Sequence, residues 1–147
     1  PGKYVYTCST PDEIRPHLLE DLDPRFSAEA REGDIIIAGR NFGCGSSREQ
    51  AAIAIQAIGA GVILAESFAR IFYRNAINLG IPLLVSPGIT DHVTTGDTLK
   101  IDLKEGVVRN QSTGAELKVQ PMSGYVLEIL EVGGIKPLVK KQVAQIN

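Results

Sequence analysis

The groups able to do chemistry concentrate in one run, Asn41-Phe42-Gly43-Cys44-Gly45-Ser46-Ser47-Arg48-Glu49. It follows a strand-like apolar stretch, Asp34 to Gly39, and opens a helical pattern from Glu49 to Ile58. Two glycines, two adjacent serines and an arginine therefore stand at a strand-to-helix turn. The first N–H groups of a helix have no partner inside it, and the dipole there favours negative charge. A guanidinium at the same place adds a two-pronged grip on a carboxylate. The pattern suits a small polycarboxylate ligand with a serine oxygen beside it.

Other chemistries fit less well. Ser46-Ser47-Arg48-Glu49 reads as an S-x-x-E capping box, with Glu49 holding the turn, but capping leaves Ser47, Arg48 and the Gly43-x-Gly45 pair without a role. A dinucleotide fingerprint needs a third glycine where Arg48 stands, and the nearby acid, Glu66, follows the next strand. There is no Gly-Lys-Ser/Thr for a P-loop and no Gly-x-Ser-x-Gly for a hydrolase elbow. His17 and His92, the two histidines, belong to no metal-ligand pattern and read as surface or loop residues. Cys8 and Cys44 are too few for a disulfide framework and imply a reducing compartment, here the cytoplasm. Cys44 is expected to be a small buried thiol. An iron–sulfur cluster takes three or four cysteines, so no metal site is expected in this chain alone.

Elements that would position the run can be read from apolar patterning and punctuation. Thr10 or Ser9 caps a helix near Asp12–Asp21, with Pro11 at its first position. Strand 34–39 leads into the Gly/Ser turn and helix 47–58, which Gly59-Ala60-Gly61 ends. Val62–Ala65 is a strand, Ser67 caps a helix from Phe68 to Leu79, and Gly80 closes it. On that helix Ile71, Phe72, Ile77 and Leu79 are the apolar positions, while Arg70 and Arg74 reach solvent or a carboxylate. Pro82–Val85 is a third strand. This alternation implies right-handed βαβ units and a parallel sheet covered on both faces. Short strands at 97–103, 107–109 and 116–119 suggest a β meander. Helices 125–132 and 137–144, split by Gly133-Gly134, end the chain.

With 147 residues, 44% of them hydrophobic and 22% charged, the chain suffices for one soluble domain, 1–147. The net charge of −2, the few aromatics and the absence of Trp argue against nucleic acid or an anionic membrane as partner. No apolar run is long enough to span a bilayer, and no signal peptide is visible. The chain starts Pro1-Gly2-Lys3-Tyr4, and a further N-terminal strand is expected ahead of it.

The run Asn41–Glu49, followed by Ala65-Glu66-Ser67-Phe68-Ala69-Arg70-Ile71-Phe72-Tyr73-Arg74-Asn75-Ala76-Ile77-Asn78, resembles the small subunits of aconitase-family hydro-lyases, on the branch that acts on isopropylmalate. The homoaconitase branch is a near relative. Gly33–Gly39 and Gly80–Leu84 also fit, and the likeness spans essentially the whole chain. The resemblance implies a swivelling β/β/α domain, with a parallel βαβ core, added antiparallel strands and C-terminal helices. It implies docking on a large subunit, as heterodimer or heterotetramer, and that the large subunit carries a [4Fe–4S] cluster while this chain holds no cofactor. The implied reaction isomerises 2-isopropylmalate to 3-isopropylmalate, in leucine biosynthesis, by dehydration and rehydration.

By the same resemblance Ser46 matches the catalytic base, and Ser47 and Arg48 match residues that hold substrate carboxylate. A serine is a poor base unless its alkoxide is stabilised, and a helix start with an arginine supplies that. The loop Lys3-Tyr4-Val5-Tyr6-Thr7 matches the segment that selects substrate. Val5 and Tyr6 offer apolar surface to an isopropyl group, and Lys3 is the nearby cation, which favours isopropylmalate over homoaconitate, citrate or a methylated malate. A carboxylate-binding module without catalysis is the alternative from another class.

Overall fold

The structure, a computed structural model, describes residues 4, 7–8, 10–45 and 49–146. Three parallel strands form its centre: β1 (Ile35–Ala38), β2 (Val62–Ala65) and β3 (Leu83–Val85), paired in the order β1-β2-β3. The register follows from which side each apolar residue must bury. Ile36, Ile63 and Leu83 form one cross-strand row, and Ile37, Leu64 and Leu84 form the next, on the opposite face. Ile63 and Leu64 are both fully buried, which is why β2 reads as a continuous apolar run rather than an alternating one.

The two faces are covered differently. The Ile36–Ile63–Leu83 row packs under helices: α1 (Pro11–Ile14), α3 (Gln50–Ala57), α4 (Arg70–Asn78), α5 (Gly124–Glu131) and α6 (Ile135–Ile146) all send residues to that core. The Leu64–Leu84 row packs against Val108, Leu99, Ile101 and Leu117 of a second, antiparallel sheet. That sheet is the meander β4 (Leu99–Asp102), β5 (Val107–Asn110) and β6 (Glu116–Lys118). The layers are thus antiparallel sheet, parallel sheet, helices, which is the β/β/α order the resemblance implies. A further short helix, α2 (Phe26–Glu29), lies between α1 and β1. Among the described residues no helix is long and apolar enough to cross a membrane.

The first helix corrects the sequence reading. Thr10 does cap it: its Oγ1 accepts the Glu13 N–H at 3.3 Å while Glu13 Oε2 accepts the Thr10 N–H at 3.1 Å. The helix stops at Ile14, however, instead of running to Asp21. Pro16 lacks an N–H and crowds the preceding turn, so Arg15–His17 tighten into a 3₁₀ turn. Leu19, at φ 56°, then takes the left-handed conformation and turns the chain away. At the other end of the helical layer α4 closes as expected, with Gly80 at φ 81° donating its N–H to the Ile77 carbonyl at 2.9 Å. Gln56 Nε2 donates to the Leu79 carbonyl at 2.7 Å and ties α3 to the same end of α4.

Ile71 is a second correction. The sequence places it on the apolar side of α4, yet it is 52% exposed, while Phe72, Ala76 and Ile77 take the buried side. Arg70 and Arg74 are exposed as expected.

Candidate functional site

Chains leaving the C-terminal ends of parallel strands gather at one edge of the sheet, where open α/β sheets take their ligands. Here the edge is built by the loop after β1, the loop after β2 and the turn after β3. The β1 loop runs through Gly39 and Arg40 to Asn41, which holds φ 58°, and Gly43, which holds φ 87°. Gly43 has a second reason to be glycine: a Cβ there would lie 2.2 Å from Phe72 Cγ. At Gly45 a Cβ would meet nothing within 4 Å among the described residues.

The β1 loop is braced by the β2 loop. Ser67 was expected to cap α4, but Ala69 occupies the cap position, with extended backbone and no side-chain bond. Ser67 instead faces the neighbouring loop: its Oγ accepts the Asn41 N–H at 2.8 Å. Its carbonyl accepts the Phe42 N–H at 2.9 Å, and the Phe42 carbonyl accepts the Ala69 N–H at 2.9 Å. These last two bonds extend the parallel pairing by one bridge, Phe42 to Phe68. Three rings seal the bridge, with Phe42 edge-on to Phe72 at 5.3 Å and to Phe68 at 6.2 Å.

Arg40 and Glu66, the residues just ahead of this brace on each strand, form a third link. Arg40 Nε donates to Glu66 Oε2 at 3.1 Å, and Thr90 Oγ1, beyond β3, donates to Glu66 Oε1 at 3.0 Å. All three loops at the edge are thereby connected. The sequence reading passed over Arg40 and Thr90; no spacing rule joins residues 26 positions apart, though Arg40 directly precedes the motif.

Between the β1 loop and the segment after α1 lies a cavity of about 510 Å³. Phe42, Gly43, Cys44, Gly45 and Arg40 form one wall, and His17, Leu18 and Leu22 belong to the other. His17 stacks on Tyr4 with ring centroids 3.5 Å apart, and its Nδ1 lies 2.6 Å from Glu20 Oε2. Cys44 is exposed here, against the expectation of a buried thiol. The turn closed by its N–H on the Asn41 carbonyl, at 3.2 Å, carries it outside the phenylalanine cluster. Gln50, the first residue of α3, has a buried Oε1 without a partner among the described residues.

Of the residues expected to act, Ser46, Ser47, Arg48, Lys3, Val5 and Tyr6 lie outside the described residues. Gly43, Gly45 and Glu49 lie within them. Glu49 sits at the N-cap position of α3 in helical conformation and makes no side-chain capping bond there; the Ser46 half of the capping box is outside the described residues. The motif thus approaches the cavity along its wall and resumes at the start of α3. Among the described residues no group of three or more His, Cys, Asp or Glu converges as a metal site would require.

Two groups with displaced pKa values, Asp97 and Arg109, lie on the meander side. The Thr94 N–H, and then the Asn110 amide, hold the Asp97 carboxyl below its ordinary 3.8. Its hydrogen bond with Glu116 raises Arg109 further above the usual range.

The model of the aconitase C-terminal domain matches residues 12–87, from α1 to the end of the parallel sheet, and the chain belongs to that family. It is 50% identical over 142 residues to the 3-isopropylmalate dehydratase small subunit 1 of Methanopyrus kandleri, an alignment covering 97% of this chain and 83% of that one. It is also 50% identical over 135 residues to the methanogen homoaconitase small subunit of Methanothermobacter thermautotrophicus, covering 92% of this chain and 77% of that one. The crystal structure of a 3-isopropylmalate dehydratase from Methanocaldococcus jannaschii superposes with a TM-score of 0.88 at 40% identity, covering 99% of this chain and 86% of that chain.

Proposed function

We propose that the chain, acting as one swivel domain over 1–147, is the small subunit of a 3-isopropylmalate dehydratase and interconverts 2- and 3-isopropylmalate together with a large subunit. The observation that carries this reading is a coincidence of position. The loop after β1, braced through Asn41 and Phe42 by the loop after β2, lines a cavity at the C-terminal edge of the parallel sheet, and in sequence the serine-arginine motif follows directly from its Gly45.

In this reading Ser46 takes the proton from the carbon next to a substrate carboxylate. That proton is weakly acidic, so the serine oxygen must be held as an alkoxide. The N-terminal end of α3 and the Arg48 guanidinium supply positive potential for it. Ser47 and Arg48 hold the carboxylate and set the carbon in reach. Gly43 and Gly45 support the turn, Gly43 at φ 87° and tight against Phe72, while Val5 and Tyr6 enclose the isopropyl group and Lys3 supplies the nearby cation. A [4Fe–4S] cluster on the large subunit supplies the Lewis acid that assists loss of the hydroxyl. The assembly works in the cytoplasm.

Anaerobic reconstitution with the large subunit tests this. The chain alone is expected to be colourless and inactive, and the complex to convert 2-isopropylmalate to 3-isopropylmalate. An assembled complex that dehydrates no hydroxy diacid would leave only a carboxylate-binding module. The homoaconitase relative makes the second substrate to assay a tricarboxylate. A higher kcat/KM on that acid would move the reading to the homoaconitase branch.

A further inference from the structure

We propose that Arg40, aimed by Glu66, captures a carboxylate of the incoming substrate at the mouth of the cavity, before the acid reaches the serine motif. The inference rests on the reading of the chain as a subunit acting on a hydroxy diacid. Arg40 is the only arginine or lysine among the described residues that line the cavity. Its side chain is 87% exposed, whereas the Glu66 side chain that holds it is 19% exposed and is itself fixed by Thr90. The contact uses Nε alone. The outer edge of the guanidinium, with its two terminal nitrogens, keeps its parallel N–H donors for another partner, and that edge matches a carboxylate.

The backbone below Arg40 is equally constrained. The next residue, Asn41, is clamped to Ser67 through its N–H, so the guanidinium is carried on a fixed stalk and steadied at its side. An exposed ion pair of this kind adds little to stability, and stability alone does not account for a three-residue relay from β1 to the turn after β3. Asp21 is the acidic side chain among the described residues that line the cavity, and its negative charge gives a cation on the same lining a task in the association of a dianion. A charge in such a position acts mainly on the rate of encounter and on ground-state binding, and its effect is screened by salt.

The test compares Arg40→Gln and Arg40→Lys in the reconstituted complex, with kcat and KM for 2-isopropylmalate measured across ionic strength. Arg40→Gln should raise KM about fivefold to tenfold with kcat within about twofold, and should flatten the salt dependence of kcat/KM. Arg40→Lys should recover the salt dependence but only part of the KM, because a point charge lacks the fork. The thermal midpoint of the isolated chain and the stoichiometry of the complex should not change. Unaltered kcat/KM in Arg40→Gln would overturn the proposal while the reading of Ser46 stands. Weakened assembly, with kcat/KM restored by excess large subunit, would overturn it too and assign Arg40 to the subunit interface. A wild-type complex without dehydratase activity would remove both the proposal and the reading beneath it.

Discussion

The turns of the meander and the loop after β1 solve the same problem in opposite ways. In the meander the turn residues hold themselves. Asp102 Oδ1 accepts the N–H groups of Lys104 and Glu105, at 3.0 and 2.8 Å, in the turn between β4 and β5. Asn110, buried to 3% exposure, does more. Its Oδ1 accepts from Ser112 and Thr113, and its Nδ2 donates to Asp97 and to the His92 carbonyl. Such turns consume their polar groups internally. The β1 loop is held from outside, by Ser67, by the Phe42–Phe68 bridge and through Glu66. Bracing by a neighbour leaves more of the loop's own groups available to a ligand, as the proposed function requires.

The largest effect expected from breaking this contrast is at Ser46. Ser46→Ala should lower kcat of the complex by about a thousandfold with little change in KM, because a base acts in the transition state. Near-normal turnover would reduce Ser46 to a helix cap. Next comes the pair of glycines. Gly43→Ala places a Cβ against Phe72 at a positive φ and should cost about 2–4 kcal/mol in chemical denaturation, from overpacking and backbone strain together. Gly45→Ala meets nothing among the described residues and should leave the unfolding midpoint in place, so any activity it loses reports on the turn's fit to the ligand. Equal destabilisation by both would mean that the loop is braced along its whole length.

The meander answers differently. Asn110→Ala should cost about 1–3 kcal/mol, from stranded partners, with kcat and KM unchanged in the complex. A smaller effect should appear on acidification. The Asp97 pKa is depressed in the folded chain, so its contribution is complete above the unfolded value of 3.8 and is lost as pH falls through the folded one. Removing Asn110 takes away one of the two bonds responsible. Denaturation of Asn110→Ala between pH 5 and about 2 should therefore depend less steeply on pH than that of the wild type. An unchanged slope would assign the depression to the Thr94 N–H alone.

Local patterns carried much of this into the sequence. Val62–Ala65 is legible because two glycines and an apolar run bound it. The Thr10 cap and the Gly80 stop are legible because capping is settled within one turn of helix. What failed was decided at a distance or by competition. Pro16 ended α1 within a pattern that otherwise continues. Ser67 had a choice between capping α4 and bonding Asn41, and only the pairing of two loops decides it. Ile71 sits beside Phe72 on a helix whose buried arc is narrower than its apolar content. The motif itself was legible through family likeness, but the Arg40–Glu66–Thr90 relay was not, since it exists only once three strands lie side by side.

The phenylalanine bridge also has a consequence for hydrogen exchange. The Asn41, Phe42 and Ala69 amides are bonded across two loops and share one aromatic seal, so none can open without parting the seam. Their exchange rates should fall in one group and respond together to Phe42→Leu, with the turn amide of Asp97 unaffected. The two loops then count as a single rigid lip on that side of the cavity.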